Sequence, residues 1–394
     1  MSKSRIRALA AMAGGVLALS AFPAAATAQD DVAWQPDPAC QSDDPIVQEA
    51  IANTIARTGP QTEWHGPTEG PAPTAGASVV WIPTSAQNAL SVNWGNEIQA
   101  VSEQLGWEYT TIDGQGTAQG WIDAMTQAIA LQPDVIMYSA DARTLAEKNA
   151  EAVEQGIHVI GIHGLALPGP DEATNLYSNI TSDPRDIGAA MSDYLIARTC
   201  GTARGIVLFD SVYEIAEFKG VAMRDRLAEC AGCEVLEYVD SPLSELETRQ
   251  PQLCTNWAVE YGTDWSGMTI YDDIWNFCTP ALGDAGVGPG DVALIASDGT
   301  EAGYARVREG QYQVATVPEP AELQAYMAID DAIRAMAGEP PAGWDQPVFI
   351  HFNDGIHGNN LAIEGGDLGQ FFPTNDYKAR YAELWGIESA EATN

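Results

Sequence analysis

Beyond its N-terminal segment the chain has no apolar run approaching the ~18 residues that a helix needs to cross a bilayer. Basic residues are also scarce: 18 Lys+Arg stand against 55 Asp+Glu, a formal net charge of −37. Such a chain repels nucleic acid and anionic membranes, so neither is expected as a partner. Histidines are few and scattered, at His65, His158, His163, His351 and His357. No H-E-x-x-H, G-x-S-x-G or P-loop pattern occurs. The usual sequence grounds for a metalloprotease, a serine hydrolase or a nucleotide-driven enzyme are therefore missing. No enzymatic activity, cofactor or metal is expected.

The N-terminus has the grammar of an export signal. Lys3, Arg5 and Arg7 precede an apolar stretch from Leu9 to Ala21, and Ala26-Thr27-Ala28 forms a small-residue cleavage site before Gln29. Removing residues 1–28 leaves 15 Lys+Arg against 55 Asp+Glu, a charge of −40. Cys40 follows Asp37-Pro38-Ala39, which is not the setting of a lipidated cysteine. A soluble, unlipidated protein of a Gram-negative periplasm is expected. The acidity itself fits either a salty habitat or attraction of cationic ligands. In that oxidising compartment the six cysteines, Cys40, Cys200, Cys230, Cys233, Cys254 and Cys278, are expected to form disulfides. Cys254 with Cys278 is one expected pair, and Cys200 with Cys230 or Cys233 another. The C-A-G-C segment lacks the further ligands of a structural zinc site.

Residues 29–77 form an extension. Asp44 and Pro45 suit the first turn of a short helix running to Arg57. A Gly/Pro/Thr-rich tether follows, with Trp64 placed to pin it to a domain surface. From residue 78 a rhythm sets in. "SVVWIP" reads as a strand, "LSVNWGNEIQAVSEQLG" as an amphipathic helix, and the alternation continues through "HVIGIHG". A second series runs from "GIVLFD" to "QVATV" and ends in the long helix "AELQAYMAIDDAIRAMAG". Strands alternating with amphipathic helices imply parallel sheets covered on both faces. The expected fold is α/β: two Rossmann-like lobes of parallel sheet, joined by a hinge. In open parallel sheets, ligands bind beyond the carboxyl ends of the strands.

Three stretches carry a resemblance: "VVWIPTSAQNALSVNWGNEIQAVSEQLGWEYTTID", "PDVIMYSADARTLAEKNAEAVEQGIHVIGIHG" and "VALIASDGTEAGYARVREGQYQVATVPEPAELQAYMAIDDAIRAMAGE". In order and spacing they resemble the type I periplasmic solute-binding proteins of ABC importers, the ribose/galactose-binding group. The resemblance covers about residues 78–350. It implies a first lobe of 78–181 plus 320–347, a second of 182–319 plus 348–352, and a C-terminal extension of 353–394 in which Tyr377 to Trp385 reads as a helix. It also implies a monomer that closes on a small polar solute and docks on an inner-membrane permease.

The same resemblance nominates ligand residues at strand ends. Asn88 follows the first strand, and Trp94 is the aromatic nearest Leu90 and Ser91, where sugar-binding members carry stacking rings. Tyr138 and Asp141 end the third strand. Tyr213, Glu214 and Glu217 start the helix after "GIVLFD", where such members carry an arginine. Asp272 with Trp275, then Asp298, and Glu319 at the lobe crossing complete the set. His163-Gly164 occupies a strand end where sugar binders commonly have Asp-Arg. With those arginines absent, the cleft is expected to carry acids without cations. Two carboxylates about 4 Å apart would repel by roughly 4 kcal/mol at an effective dielectric near 20. The expected solute is a sugar or polyol, with a cationic amine or other polar metabolite, or a sensor role at a membrane receptor, as alternatives.

Overall fold

The computed structural model describes residues 34–59, 63–343, 346–360 and 376–387. The expected signal segment and residues 361–375 lie outside these. The elements fall into two sheets, each of six strands. The first holds β1 (Ser78–Ile82), β2 (Glu108–Thr111), β3 (Val135–Tyr138), β4 (His158–Ile162), β5 (Gly169–Asp171) and β6 (Leu176–Ile180) in the order β2-β1-β3-β4-β6-β5. The second holds β7 (Arg204–Phe209), β8 (Glu234–Asp240), β9 (Ser266–Thr269), β10 (Ala293–Asp298), β11 (Gln313–Pro318) and β12 (His351–Phe352) in the order β12-β11-β10-β9-β7-β8. Pairing is parallel except for the edge strands β5 and β12, which run antiparallel to their neighbours. This is the two-lobed α/β fold expected from the alternating pattern.

The first lobe's helices are α2 (Ala89–Gln104), α3 (Ala118–Ala130), α4 (Ala146–Glu154) and the returning α10 (Ala321–Ala337). The second lobe's are α5 (Pro184–Arg198), α6 (Glu214–Glu229), α7 (Leu246–Tyr261), α8 (Ile274–Asp284) and α9 (Glu301–Glu309). The period of two along β1 explains how one sheet supports two cores. Val79 and Trp81 face α2 and α10, while Val80 and Ile82 face α3 and α4. The second sheet repeats this: Val207 packs toward α5 and α6, and Ile206 and Leu208 pack toward α7 and α8. Strands buried on both faces are what helices on both sides of a parallel sheet require.

β5 and β6 are missing from the sequence reading. Gly169, Pro170 and the polar run Tyr177-Ser178-Asn179 mask them, yet β6 pairs in parallel with β4. The buried Asn179 side chain explains its polarity. Its Oδ1 accepts from Gly164 N at 2.9 Å, and its Nδ2 donates to Leu165 O at 2.9 Å and Leu167 O at 2.8 Å.

Both extensions pack on the lobes. α1 (Pro45–Thr58) begins at Asp44, whose Oδ1 accepts from Ile46 N at 2.8 Å, and lies against α5 of the second lobe. There Asp193 of α5, nearly fully buried, receives Arg57 at 3.1 Å, Asn53 at 2.8 Å and Arg226 at 2.7 Å. Residues from Trp64 onward lie instead on the first lobe. Arg334 donates to Glu69 O, Trp107 donates to Thr74 O, and Trp64 meets Tyr381 edge-on. α11 (Tyr377–Trp385) packs there too, with Trp385 stacked on Tyr326 and donating to Asp330 at 2.9 Å. The chain thus passes between lobes before β1 and again after β12, in addition to the links β6–α5, β11–α10 and α10–β12.

The disulfides are Cys40–Cys200, Cys230–Cys233 and Cys254–Cys278. The last joins α7 to α8 as expected. The expected link from Cys200 to Cys230 or Cys233 does not form. α1 docks beside the C-terminal end of α5 and brings Cys40 to Cys200, while Cys230 and Cys233 close the turn after α6 on themselves.

Candidate functional site

The carboxyl ends of β1, β3 and β4 face those of β7, β9 and β10 across a cleft of about 80 Å³, floored by the crossing from β11 to α10. From the first lobe come Asn88, Leu90, Ser91, Trp94, Ser139 and His163; from the second, Tyr213, Ile215, Lys219, Leu243, Tyr271 and Asp298. Five nominated residues therefore meet here: Asn88, Trp94, His163, Tyr213 and Asp298. Asn88 also caps α2, its Oδ1 accepting from Ser91 N at 2.8 Å. His163 and Asp298 both end their strands with left-handed φ, +58° and +86°. Non-glycine residues in that region store strain of order 1–3 kcal/mol, which concentrates at functional sites.

Glu319 lies beneath, fully buried, on the lobe crossing. Its Oε1 is 3.0 Å from Lys219 Nζ on the second lobe, and its Oε2 is 3.3 Å from His163 Nε2 on the first. Ser182 Oγ donates to Oε2 at 2.8 Å and Gln324 Nε2 donates to it at 3.0 Å. Trp94 Nε1–H donates to Gln324 Oε1 at 2.8 Å, which fixes the amide with its nitrogen toward Glu319. Burial opposes ionisation of Glu319, but Lys219 and His163 outweigh it and hold the carboxyl well below the usual carboxylate range. Lys219 also reaches Asp298 Oδ1 at 3.3 Å. Burial pulls the ammonium down, and the two carboxylates more than reverse this, so its pKa is raised. Asp298 stays raised because burial outweighs Lys219.

The sequence reading missed Lys219, and a signal was available. Ala216, Lys219, Gly220, Met223 and Leu227 are the buried positions of α6, at helical spacing. A lysine inside an inward stripe marks a buried charge that needs partners. The expectation of acids without cations is accordingly corrected: one lysine serves both Asp298 and Glu319.

The other nominated residues sit elsewhere. Tyr138 is buried under the first sheet, and its hydroxyl accepts from Asn149 at 2.8 Å. Trp275 is buried beneath the second sheet and donates to Ile295 O at 3.1 Å, so it offers no ring to the cleft. Asp272 is a structural brace. Its Oδ2 accepts from Gly299 N at 2.8 Å, Thr300 N at 2.9 Å and Thr316 Oγ1 at 3.2 Å, and its Oδ1 accepts from Gln313. Burial raises its pKa to about 7. Asp141 lies at the mouth, accepting from Thr144 N at 2.9 Å and from Arg143 at 2.7 Å. Arg143 in turn reaches Glu214 of the opposite lobe at 3.1 Å. Glu217 is exposed, and among the described residues no cluster suited to a metal ion occurs.

Comparison with known proteins agrees with this geometry. The sequence model for the periplasmic binding protein domain matches residues 79–340, more than half of the chain. The chain belongs to the periplasmic binding protein family. A periplasmic ribose ABC transporter protein of Conexibacter woesei DSM 14684 shares this fold with a TM-score of 0.63 at 23% identity, over 73% of this chain and 95% of that one. A Caulobacter myo-inositol binding protein gives 0.62 at 19% identity, over 75% and 97%. A Mycobacterium smegmatis ABC transporter solute-binding protein with bound glycerol gives 0.63 at 17%, over 75% and 99%. Among curated proteins, sequence comparison finds no match. The family is of the solute-binding type, and its members act in the periplasm. No helix among the described residues is long and apolar enough to cross a membrane.

Proposed function

We propose that this protein captures a neutral sugar or polyol between its lobes and hands it to the permease of an ABC importer in the inner membrane. It acts as a monomer, is exported by its N-terminal signal, and releases the solute chemically unchanged. One observation carries this reading: Lys219 bridges Asp298 and Glu319. Each of these carboxylates thereby has a cation within reach inside the protein, and what the rest of the lining offers a solute is hydroxyl chemistry. Ser91, Ser139, Asn88, Tyr213 and Tyr271 line it with groups that both donate and accept. The same pairing argues against the amine alternative, because an ammonium would have to compete with Lys219 for its carboxylates. Permease docking follows from closure, which presents one surface formed by both lobes.

The test is calorimetry of the mature protein against sugars, polyols and amines, with recovery of the bound compound. Binding of an amine while all neutral compounds fail would overturn the reading. Recovery of an altered compound would overturn the role without chemistry.

A further inference from the structure

We propose, resting on the sugar-or-polyol reading above, that His163 is a hydrogen-bond acceptor for a solute hydroxyl, and that Glu319 is a positioning residue that keeps the proton of its ring off the nitrogen facing the solute. The two ring nitrogens have different surroundings. Nε2 points inward, 3.3 Å from Glu319 Oε2 and 3.4 Å from Gln324 Nε2. Nδ1 hydrogen-bonds none of the described residues and keeps contact with solvent, and the ring lines both the cleft and the recess beside it.

A carboxylate can only accept, so a bare Nε2 would set lone pair against lone pair, whereas an Nε2–H donates to Oε2. Gln324 does not reverse this. Its Oε1 is taken by Trp94 Nε1–H at 2.8 Å, and the shorter contact of its nitrogen, 3.0 Å, is with Glu319 Oε2 rather than with the ring. A charge-assisted hydrogen bond to the carboxylate is also the stronger one. In a histidine, the bond made by one ring nitrogen sets the state of the other. With the proton on Nε2, the neutral ring presents Nδ1 as a lone pair. Glu319 does this from a fully buried position outside the cleft wall. A guanidinium or ammonium at this strand end could only donate, as Lys219 does on the opposite wall. The cleft thus asks the solute for a proton at His163 and a lone pair at Lys219. Hydroxyls supply both; an ether lacks the proton and an ammonium lacks the lone pair.

The test is nitrogen NMR of the mature protein with isotope-labelled histidine at about pH 8, the His163 signals being those lost in His163→Ala. The Nε2–H form is expected without solute. Calorimetry with ribose, glucose, myo-inositol, glycerol and putrescine finds the binder. Adding the tightest neutral one is expected to shift the Nδ1 signal while Nε2 keeps its proton. An Nδ1–H or doubly protonated ring would overturn the proposal, as would an Nδ1 signal unmoved by a bound neutral solute; the sugar-or-polyol reading would survive either result. Failure of all four neutral compounds, with or without putrescine binding, would overturn both. His163→Asn can place an amide oxygen near the position of Nδ1 and suits a left-handed backbone. It is expected to bind the same solute at least about tenfold more tightly than His163→Ala, and equal affinities would count against an acceptor here. Glu319→Gln offers Nε2 an amide N–H and is expected to move the ring proton to Nδ1; an unmoved proton would deny Glu319 the positioning role.

Discussion

Lys219 Nζ lies 3.0 Å from Glu319 Oε1, and both side chains are almost wholly withdrawn from water. Each is the other's nearest opposite charge. Removing one partner of a buried pair typically costs about 3–5 kcal/mol because the survivor is stranded. Lys219→Met is therefore expected to lower stability by about that amount and to weaken solute binding at least about tenfold. Lys219→Met combined with Glu319→Gln should regain much of the stability without regaining affinity. Denaturant unfolding and calorimetry on the three proteins measure this; full recovery of affinity in the double variant would show that the pair serves only the fold.

His163 holds a left-handed backbone at the tip of β4 while its ring reaches Glu319. His163→Ala and His163→Gly both remove that contact, but only glycine relieves the backbone. Affinity is expected to fall similarly in both, with the glycine variant more stable by roughly 1 kcal/mol. Equal melting temperatures would contradict the strain argument, and unchanged affinity would remove His163 from the binding site.

The mouth contact between Arg143 and Glu214 is half exposed on the arginine side. Such pairs are worth about 0–1 kcal/mol and are screened by salt. Glu214→Gln should raise the dissociation rate of bound solute by less than about fivefold, and high salt should erase the difference. Stopped-flow release at two ionic strengths decides it.

Asp272 has a pKa raised by burial to about 7, above its ordinary 3.8. The folded protein therefore binds a proton there that the unfolded chain does not bind until the pH is far lower. Its contribution to stability must rise as pH falls from about 7 toward about 4, the reverse of a salt-bridged carboxylate. In Asp272→Asn this part of the pH dependence is expected to vanish. Melting temperatures of both proteins at pH 7 and pH 5 provide the check, and parallel curves would refute it.

Cys40–Cys200 fastens the N-terminal extension to the end of α5. Losing a native disulfide commonly costs about 2–5 kcal/mol. Cys40→Ser with Cys200→Ser should lower the melting temperature and speed hydrogen exchange in α1 before the sheets respond. Simultaneous exchange throughout would mean that α1 and the lobes unfold as one unit.

What the sequence disclosed depended on how each residue earns its place. Alternation of apolar runs was enough for the second sheet and for four strands of the first, and Asp44-Pro45 was enough for α1, because these signals are local. β5 and β6 were hidden because a buried Asn179 hydrogen-bonds a loop, which no propensity reports. In the cleft, Asn88 and Asp298 were visible as strand-end residues. Asp272 and Trp275 share that position in sequence but turn under the sheet, where backbone N–H groups and a carbonyl claim them. Lys219 could be placed only by taking the helical stripe of α6 literally, even where its member carries a charge.

Glu319 takes one partner from each lobe while sitting on the segment that crosses between them, from β11 to α10. If the lobes swing apart, the carboxylate must let go of at least one partner, and water must enter to solvate what is stranded. The open form would then be electrically unlike the closed one, with these charges held apart in water instead of against each other. Opening the cleft and parting its charges would be a single event, and an open protein would meet the membrane with a different electric field from a closed one.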